Sequence, residues 1–186
     1  MSDWKYLVEG LDNVKVAKNL KVVPHPYTKK NAVEWINHLM KNWKKKNKDD
    51  YTFFIELKSE RKVIGSTGVH AISKKNSKCT TGSWINEKYW GKGYIMEAKV
   101  PILDFIFDKL KLRKIETSAW RENERSNRMS KKLGFKQEGM LRKSVADEAT
   151  KKIHDVIEYG IFKGEWKKAR PRIIKELNKK IKNEKH

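Results

Sequence analysis

The chain has 186 residues, a formal net charge of +21 and one cysteine, Cys79. That length suits one domain, and a lone cysteine excludes an internal disulfide or a CxxC metal or redox site. No apolar run approaches the roughly 20 residues of a membrane span, and MSDWKYLVEG has neither a basic nor an apolar leader region, so a cytoplasmic protein is expected. The positive charge fits either an acidic partner, such as RNA or a ribosome surface, or a Lys-rich proteome. Its spread along the chain favours the second reading, and no standard nucleic-acid module is present.

In chain order, residues 3–20 carry apolar positions at roughly helical spacing (Trp4, Leu7, Val8, Leu11). VVPHPYT is a proline-stiffened loop. From Thr28 an amphipathic helix follows, with Ala32, Trp35, Ile36, Leu39, Met40 and Trp43 on one face. After the charged loop NWKKKNKDD the period changes. Residues 51–58 and 62–69 read as two strands with a tight connection, and 78–85 as a third. Residues 95–110 form a helix that is apolar on nearly all sides, although Pro101 inside it removes one hydrogen bond. KIETSAW (114–120) is a strand, and NERSNRMSKKLGF (123–135) a helix stopping at Gly134. Two closing strands follow. The tail from 163 places Ile174, Leu177 and Ile181 on one face, as a docked helix would.

Between the third strand and the apolar helix stands EKYWGKGYIMEA. A helix N-terminus leaves its first N–H groups unpaired and carries a partial positive charge. Glycines let an anion approach such backbone without meeting Cβ, and Lys92 adds charge. The turn matches neither GxxxxGK[ST] nor GxGxxG, so by itself it is also compatible with a plain loop.

The order of elements, with VPHPYTKKNAVEWI, GSWINEKYWGKGYIMEA and RENERSNRMSKKLGFKQEGMLRKSV…HDVIEYGIF, resembles the GNAT acyl-CoA N-acyltransferases over about residues 20–166. More narrowly it resembles the RimJ/RimL branch, which acetylates protein N-termini and some small amines. The resemblance implies an α+β GNAT fold: a mixed, mostly antiparallel central sheet flanked by helices and splayed where acetyl-CoA binds. One unit is expected over 1–186, with a helical region (1–45), a core sheet and cofactor site (51–162) and a basic C-terminal helix (163–186).

It also implies acetyl-CoA as co-substrate, with no metal. The pyrophosphate would lie on Gly91, Lys92, Gly93, Tyr94, Ile95 and Met96. Trp90 stands where the wider family has Arg or Gln, and Ile95 where it has Gly or Ala. The pantetheine would pair with the strand edge Ser83–Asn86, chiefly Ile85, in the manner of an added strand. Asn123 would bind the pantetheine arm and Ser126 the sulfur, unless both only cap the helix. Ser130 stands where many relatives place an acidic Tyr, which leaves Ser126 or water as proton donor. For the base, Glu56, His70, Glu116, His154 and Asp155 are candidates, with Glu116 preferred. Asp155 and Tyr159 match the D-x-x-x-Y that shapes the acceptor pocket, and Glu97 reads as structural.

The family's usual opening strand is missing, so the sheet either lacks that edge or covers it otherwise. The implied acceptor is a protein N-terminus, a ribosomal protein for instance. The alternatives are a small-molecule amine as acceptor, or a basic RNA- or ribosome-binding module without catalysis. No membrane partner is expected, and the oligomeric state is open, a homodimer included.

Overall fold

The computed structural model describes residues 4–46 and 48–183. The extreme ends of the expected unit and Asn47 of the charged loop lie outside the described residues. The first segment forms α1 (Trp4–Leu11) and α2 (Val14–Ala17). α3 (Lys29–Lys44) starts where Thr28 and Asn31 cap each other reciprocally, which satisfies two otherwise orphaned N–H groups. Its stripe is buried only in the first half. Ala32, Trp35 and Ile36 pack on Leu7 and Leu11 of α1, whereas Met40 and Trp43 are exposed. Trp35 also reaches the sheet edge, where it meets Phe54 edge-on at 5.7 Å.

The strands are β1 (Tyr51–Leu57), β2 (Lys62–Ser73), β3 (Lys78–Ile85), β4 (Lys114–Trp120), β5 (Lys136–Ala146) and β6 (Ile153–Phe162). β2 runs further than its sequence suggests, because an irregularity between His70 and Ser73 lets pairing with β3 resume. The sheet order is β1-β2-β3-β4-β6-β5. Among the described residues no strand precedes β1, which forms one edge. All pairings are antiparallel except β3–β4, which is parallel and holds only Lys78↔Lys114, Cys79↔Ile115 and Thr80↔Glu116. Past Thr80 and Glu116 the two strands separate.

Side chains alternate between the faces of the sheet. Cys79, Ile115 and Tyr159 join the main core with α4 (Tyr94–Asp104), its π-helical continuation Phe105–Lys109, and α6 (Lys163–Asn183). Trp84 faces the other way, toward α1 and α3. α4 does carry Pro101, on its exposed side. α5 (Glu124–Lys132) ends before Gly134, whose φ of +92° suits only glycine and where an added Cβ would stand 2.8 Å from Ala169 of α6. Trp166 and Ile173 are the fully buried anchors of α6, with Ile174 and Leu177 packed beside them. The side chain of Ile181 lies outside the described residues. Among the described residues no helix is long and apolar enough to cross a membrane.

Candidate active site

A cavity of about 960 Å³ fills the gap between β3 and β4. Its edge on β3 follows from the ladder. Asn86 N–H donates to the Ile64 carbonyl, so in the antiparallel β2–β3 pair residues 82, 84 and 86 turn their backbone groups to β2. Thr81, Ser83 and Ile85 therefore turn theirs to the gap. Two of those carbonyls already have partners: the Thr117 hydroxyl donates to Thr81 O at 2.9 Å, and the Trp90 indole N–H to Ile85 O at 2.9 Å. Both groups of Ser83 and the N–H of Ile85 remain as the edge an extended ligand could pair with.

The gap opens onto the glycine turn. Gly91 and Gly93 have φ of +76° and +87°, a region L-residues rarely adopt. No heavy atom lies within 4 Å of where a Cβ on Gly91 would stand, so the turn leaves open space over bare backbone. Gly93 is the N-cap of α4 and no side chain caps it, so the first-turn amides of Tyr94, Ile95 and Met96 lack intrahelical acceptors. Gly91, Gly93 and those three residues line the cavity. Asn86 and Lys92 do not. Asn86 is buried and caps the 3-10 turn Glu87–Tyr89, and Lys92 lies over the Tyr89 ring at 5.5 Å.

Charge comes to the turn from elsewhere. The Arg125 guanidinium of α5 lies 3.4 Å from the centre of the Trp90 ring. Lys180 of α6 donates to the Lys92 carbonyl and comes within 3.0 Å of the position of a Cβ on Gly93. Both line the cavity. A guanidinium thus stands at the turn although the turn itself carries Trp90. Sequence reasoning missed both residues. Arg125 lies next to Ser126 at the start of a helix expected to face the cofactor, and that was its one readable signal.

Asn123 caps α5, its Oδ1 accepting from Ser126 N–H at 3.1 Å, and its amide nitrogen is left for a ligand. Ser126 lines the cavity half-buried, and Ser130 is buried in the same wall. Tyr159 also lines it, with its hydroxyl donating to Asn127 Oδ1 at 3.0 Å.

The candidate bases separate. Glu116 reaches the cavity from the α1–α3 face of the sheet. Burial alone would raise its pKa, but Lys78 and Lys114 bond it at 2.9 and 3.0 Å and hold it below the usual carboxylate range. His70 lines the cavity on that face too, and burial lowers its pKa. His154 is sandwiched between Glu122 (2.6 Å) and Asp147 (2.8 Å) and stacked on Trp120, with both ring nitrogens engaged. Asp155 accepts from Lys143 N–H and Arg121. Glu56, Glu97, His154 and Asp155 all lie outside the cavity lining. Within it, unannounced by the sequence, sits Lys99 of α4, 3% exposed.

The profile of the acetyltransferase (GNAT) domain family matches residues 2–136. N-acetyltransferase p20 of Bacillus licheniformis, a protein named as uncharacterized, is 32% identical over 61% of this chain and 63% of its own length, so the match spans just under two thirds of that relative. YdaF of Bacillus subtilis, named for a proposed ribosomal N-acetyltransferase activity, is 26% identical over 69% of both chains. Spermidine N-acetyltransferase from Vibrio cholerae, solved with CoA and spermine, superposes with a TM-score of 0.73 at 19% identity, covering 88% of this chain and 92% of that one.

Proposed function

The chain belongs to the GNAT acetyltransferases, enzymes that move an acetyl group from acetyl-CoA to an amine, and from that premise we propose that its acceptor is the amino terminus of a protein. The observation that carries the reading is the reach of this cavity. It runs from the glycine turn along the β3 edge to Leu20 and Lys21 on one side and to Glu138 and Glu158 of the β5–β6 hairpin on the other. A binding surface bounded by a loop and an exposed hairpin suits a chain end better than it suits a compact amine.

The residues fit acetyl-CoA in three ways: the open cradle over Gly91, the uncapped amides of α4, and the cations Arg125 and Lys180. Ser83 and Ile85 would hold the pantetheine as an added strand, with Asn123 bonding its arm and Ser126 the sulfur. Bound there, acetyl-CoA supplies the activated acyl group. Glu116, kept ionised by its two lysines, would receive the acceptor ammonium, and Glu138 and Glu158 lie on the same face. Removal of the ammonium proton falls to water or to His70, which burial keeps neutral.

The net charge of +21 supports an acceptor presented beside polyanionic RNA, as on a ribosome, and disfavours free polyamines. The test is CoA release from acetyl-CoA with peptides that differ in their first residue, run beside spermidine and simple amines. Turnover with a subset of peptides is expected. Turnover with the amines alone would replace the proposed acceptor.

A further inference from the structure

Lys99 is a buried amine with no counter-ion among the described residues. It projects from α4 into the point where β3 leaves β4. Its Nζ donates to Thr81 Oγ1 at 2.7 Å and to the Gly82 carbonyl at 3.3 Å, and among the described residues it has no carboxylate partner. The Thr81 hydroxyl spends its own hydrogen on the Gly68 carbonyl at 2.6 Å, so it can only accept from Lys99. An ammonium has three N–H donors and the protein absorbs two of them. The third is left at the wall of the cavity.

Burying an unpaired charge is costly, and such a group tends to give up its proton. Burial brings the Lys99 pKa down to about 7, with only the neighbouring Cys79 acting the other way. The titratable groups around it are Cys79 on β3, itself pushed up to about 12 by burial, and His70 on β2. Tyr159 on β6 lines the cavity from the α4 side, Glu116 on β4 lines it from the opposite face of the sheet, and Glu176 of α6 is paired with Lys132. None of these supplies Lys99 with a fixed anion.

Resting on the acetyl-transfer reading, we propose that Lys99 is a catalytic residue whose anion is delivered by the reaction itself: it donates a hydrogen bond, and then its proton, to the thiolate that leaves the thioester. Lys99 comes from the same face as Ser126 of α5, the side of the sheet on which α4 and its glycine turn lie. The amine nitrogen forms the bond to the carbonyl carbon. The C–S bond breaks and its electron pair goes to sulfur. Sulfur takes a proton from Lys99 Nζ, the new amide nitrogen loses one to solvent, and solvent restores Lys99. A donor fixed where charge develops needs no reorganisation. A group titrating near neutrality gives up its proton readily.

The test is the acidity of the CoA thiol when bound, followed by thiolate absorbance against pH, beside calorimetric CoA binding. In the native protein the bound thiol is expected to be about tenfold more acidic than free CoA. In Lys99→Met and Lys99→Gln it should return to the free value, with kcat down by about 10- to 100-fold and the KM for acetyl-CoA little changed. A bound thiol that titrates in the native protein as it does in water overturns the role of Lys99, whatever the variants do. Failure to bind CoA at all overturns the acetyl-transfer reading instead.

Discussion

Arg125 lies face-on over Trp90, its guanidinium carbon 3.4 Å from the ring centre. The contact joins the start of α5 to the glycine turn and holds a positive charge at the mouth of the cavity. Trp90 is itself fixed by its indole N–H bond to Ile85 O, so the guanidinium rests on a rigid plate. Arg125→Ala should raise the KM for acetyl-CoA by about tenfold, the scale of one charge-assisted phosphate contact, with kcat nearly unchanged. Arg125→Lys should recover only part of the loss, because an ammonium neither stacks flat nor forks. Steady-state kinetics at two salt concentrations would check both. Equal KM values in Arg125→Ala and the native enzyme would remove Arg125 from the cofactor site.

Gly91 bears on the same turn through its backbone. A Cβ there meets nothing within 4 Å, so packing is no objection to alanine. The φ of +76° is the objection, with a cost of roughly 1–2 kcal/mol. The new methyl would also occupy the space an anion needs. Gly91→Ala should lower CoA affinity by about five- to tenfold and lower the melting temperature slightly. Gly164→Ala in the first turn of α6, where a Cβ also meets nothing, is the control: it should leave CoA affinity unchanged and raise the melting temperature slightly, because alanine is the better helix former. Calorimetry and thermal melts read the pair.

His154 offers a separation of stability from catalysis. Burial would raise the Glu122 carboxyl, but hydrogen bonds from its own backbone N–H, His154 and Lys152 bring it down to about 2. Asp147 is likewise lowered against its burial, by Thr150 and His154. Both carboxylates are depressed, so their contribution is full above the ordinary carboxylate range and is lost as pH falls toward 2. His154→Ala should cost about 2–3 kcal/mol at pH 7 and flatten the acid limb of the stability curve. CoA binding and kcat should persist, since His154 lies outside the cavity lining. Loss of kcat with unchanged stability would return His154 to the list of bases.

Lys99 also carries a stability signature of its own. Its folded pKa of about 7 lies below the ordinary lysine value of 10.5. The unfolded chain therefore binds the extra proton between those values, and native stability rises across that window. The burial penalty is complete below about pH 7 and gone above about pH 10.5. Lys99→Met should therefore be more stable than the native protein at pH 6, by a few kcal/mol at most, and the difference should shrink toward pH 10. Denaturant midpoints at both pH values decide it. A gap that does not narrow with pH would mean that Lys99 is not a buried cation.

The parts of the site that depend on neighbouring residues were legible in the sequence. Gly91 and Gly93 announced a turn with positive φ because only glycine takes it cheaply, and the apolar run after them announced the helix whose first amides it exposes. Thr28 and Asn31 announced the start of α3, and period-two patterning announced the strands. Asn123 was readable either as a ligand of the pantetheine or as a cap, and its oxygen does cap α5. The exposed half of α3 was not readable, because periodicity reports an apolar face without saying what covers it. Met40 and Trp43 belong to the stripe and still face solvent.

By itself the sequence determined the order of elements, the glycine turn and the likeness to an acyltransferase, since each rests on contacts between residues close in the chain or on a string of motifs. Tertiary structure alone decided where charge stands. Arg125, Lys180 and Lys99 are three among 44 basic residues, and beyond the place of Arg125 beside Ser126 nothing in their local context sets them apart. Arg125 matters because α5 crosses Trp90, Lys180 because α6 returns to Lys92, and Lys99 because a helix read as apolar docks where two parallel strands part after three residue pairs. The energy of a charge depends on what surrounds it in space, and a one-dimensional pattern does not contain that information.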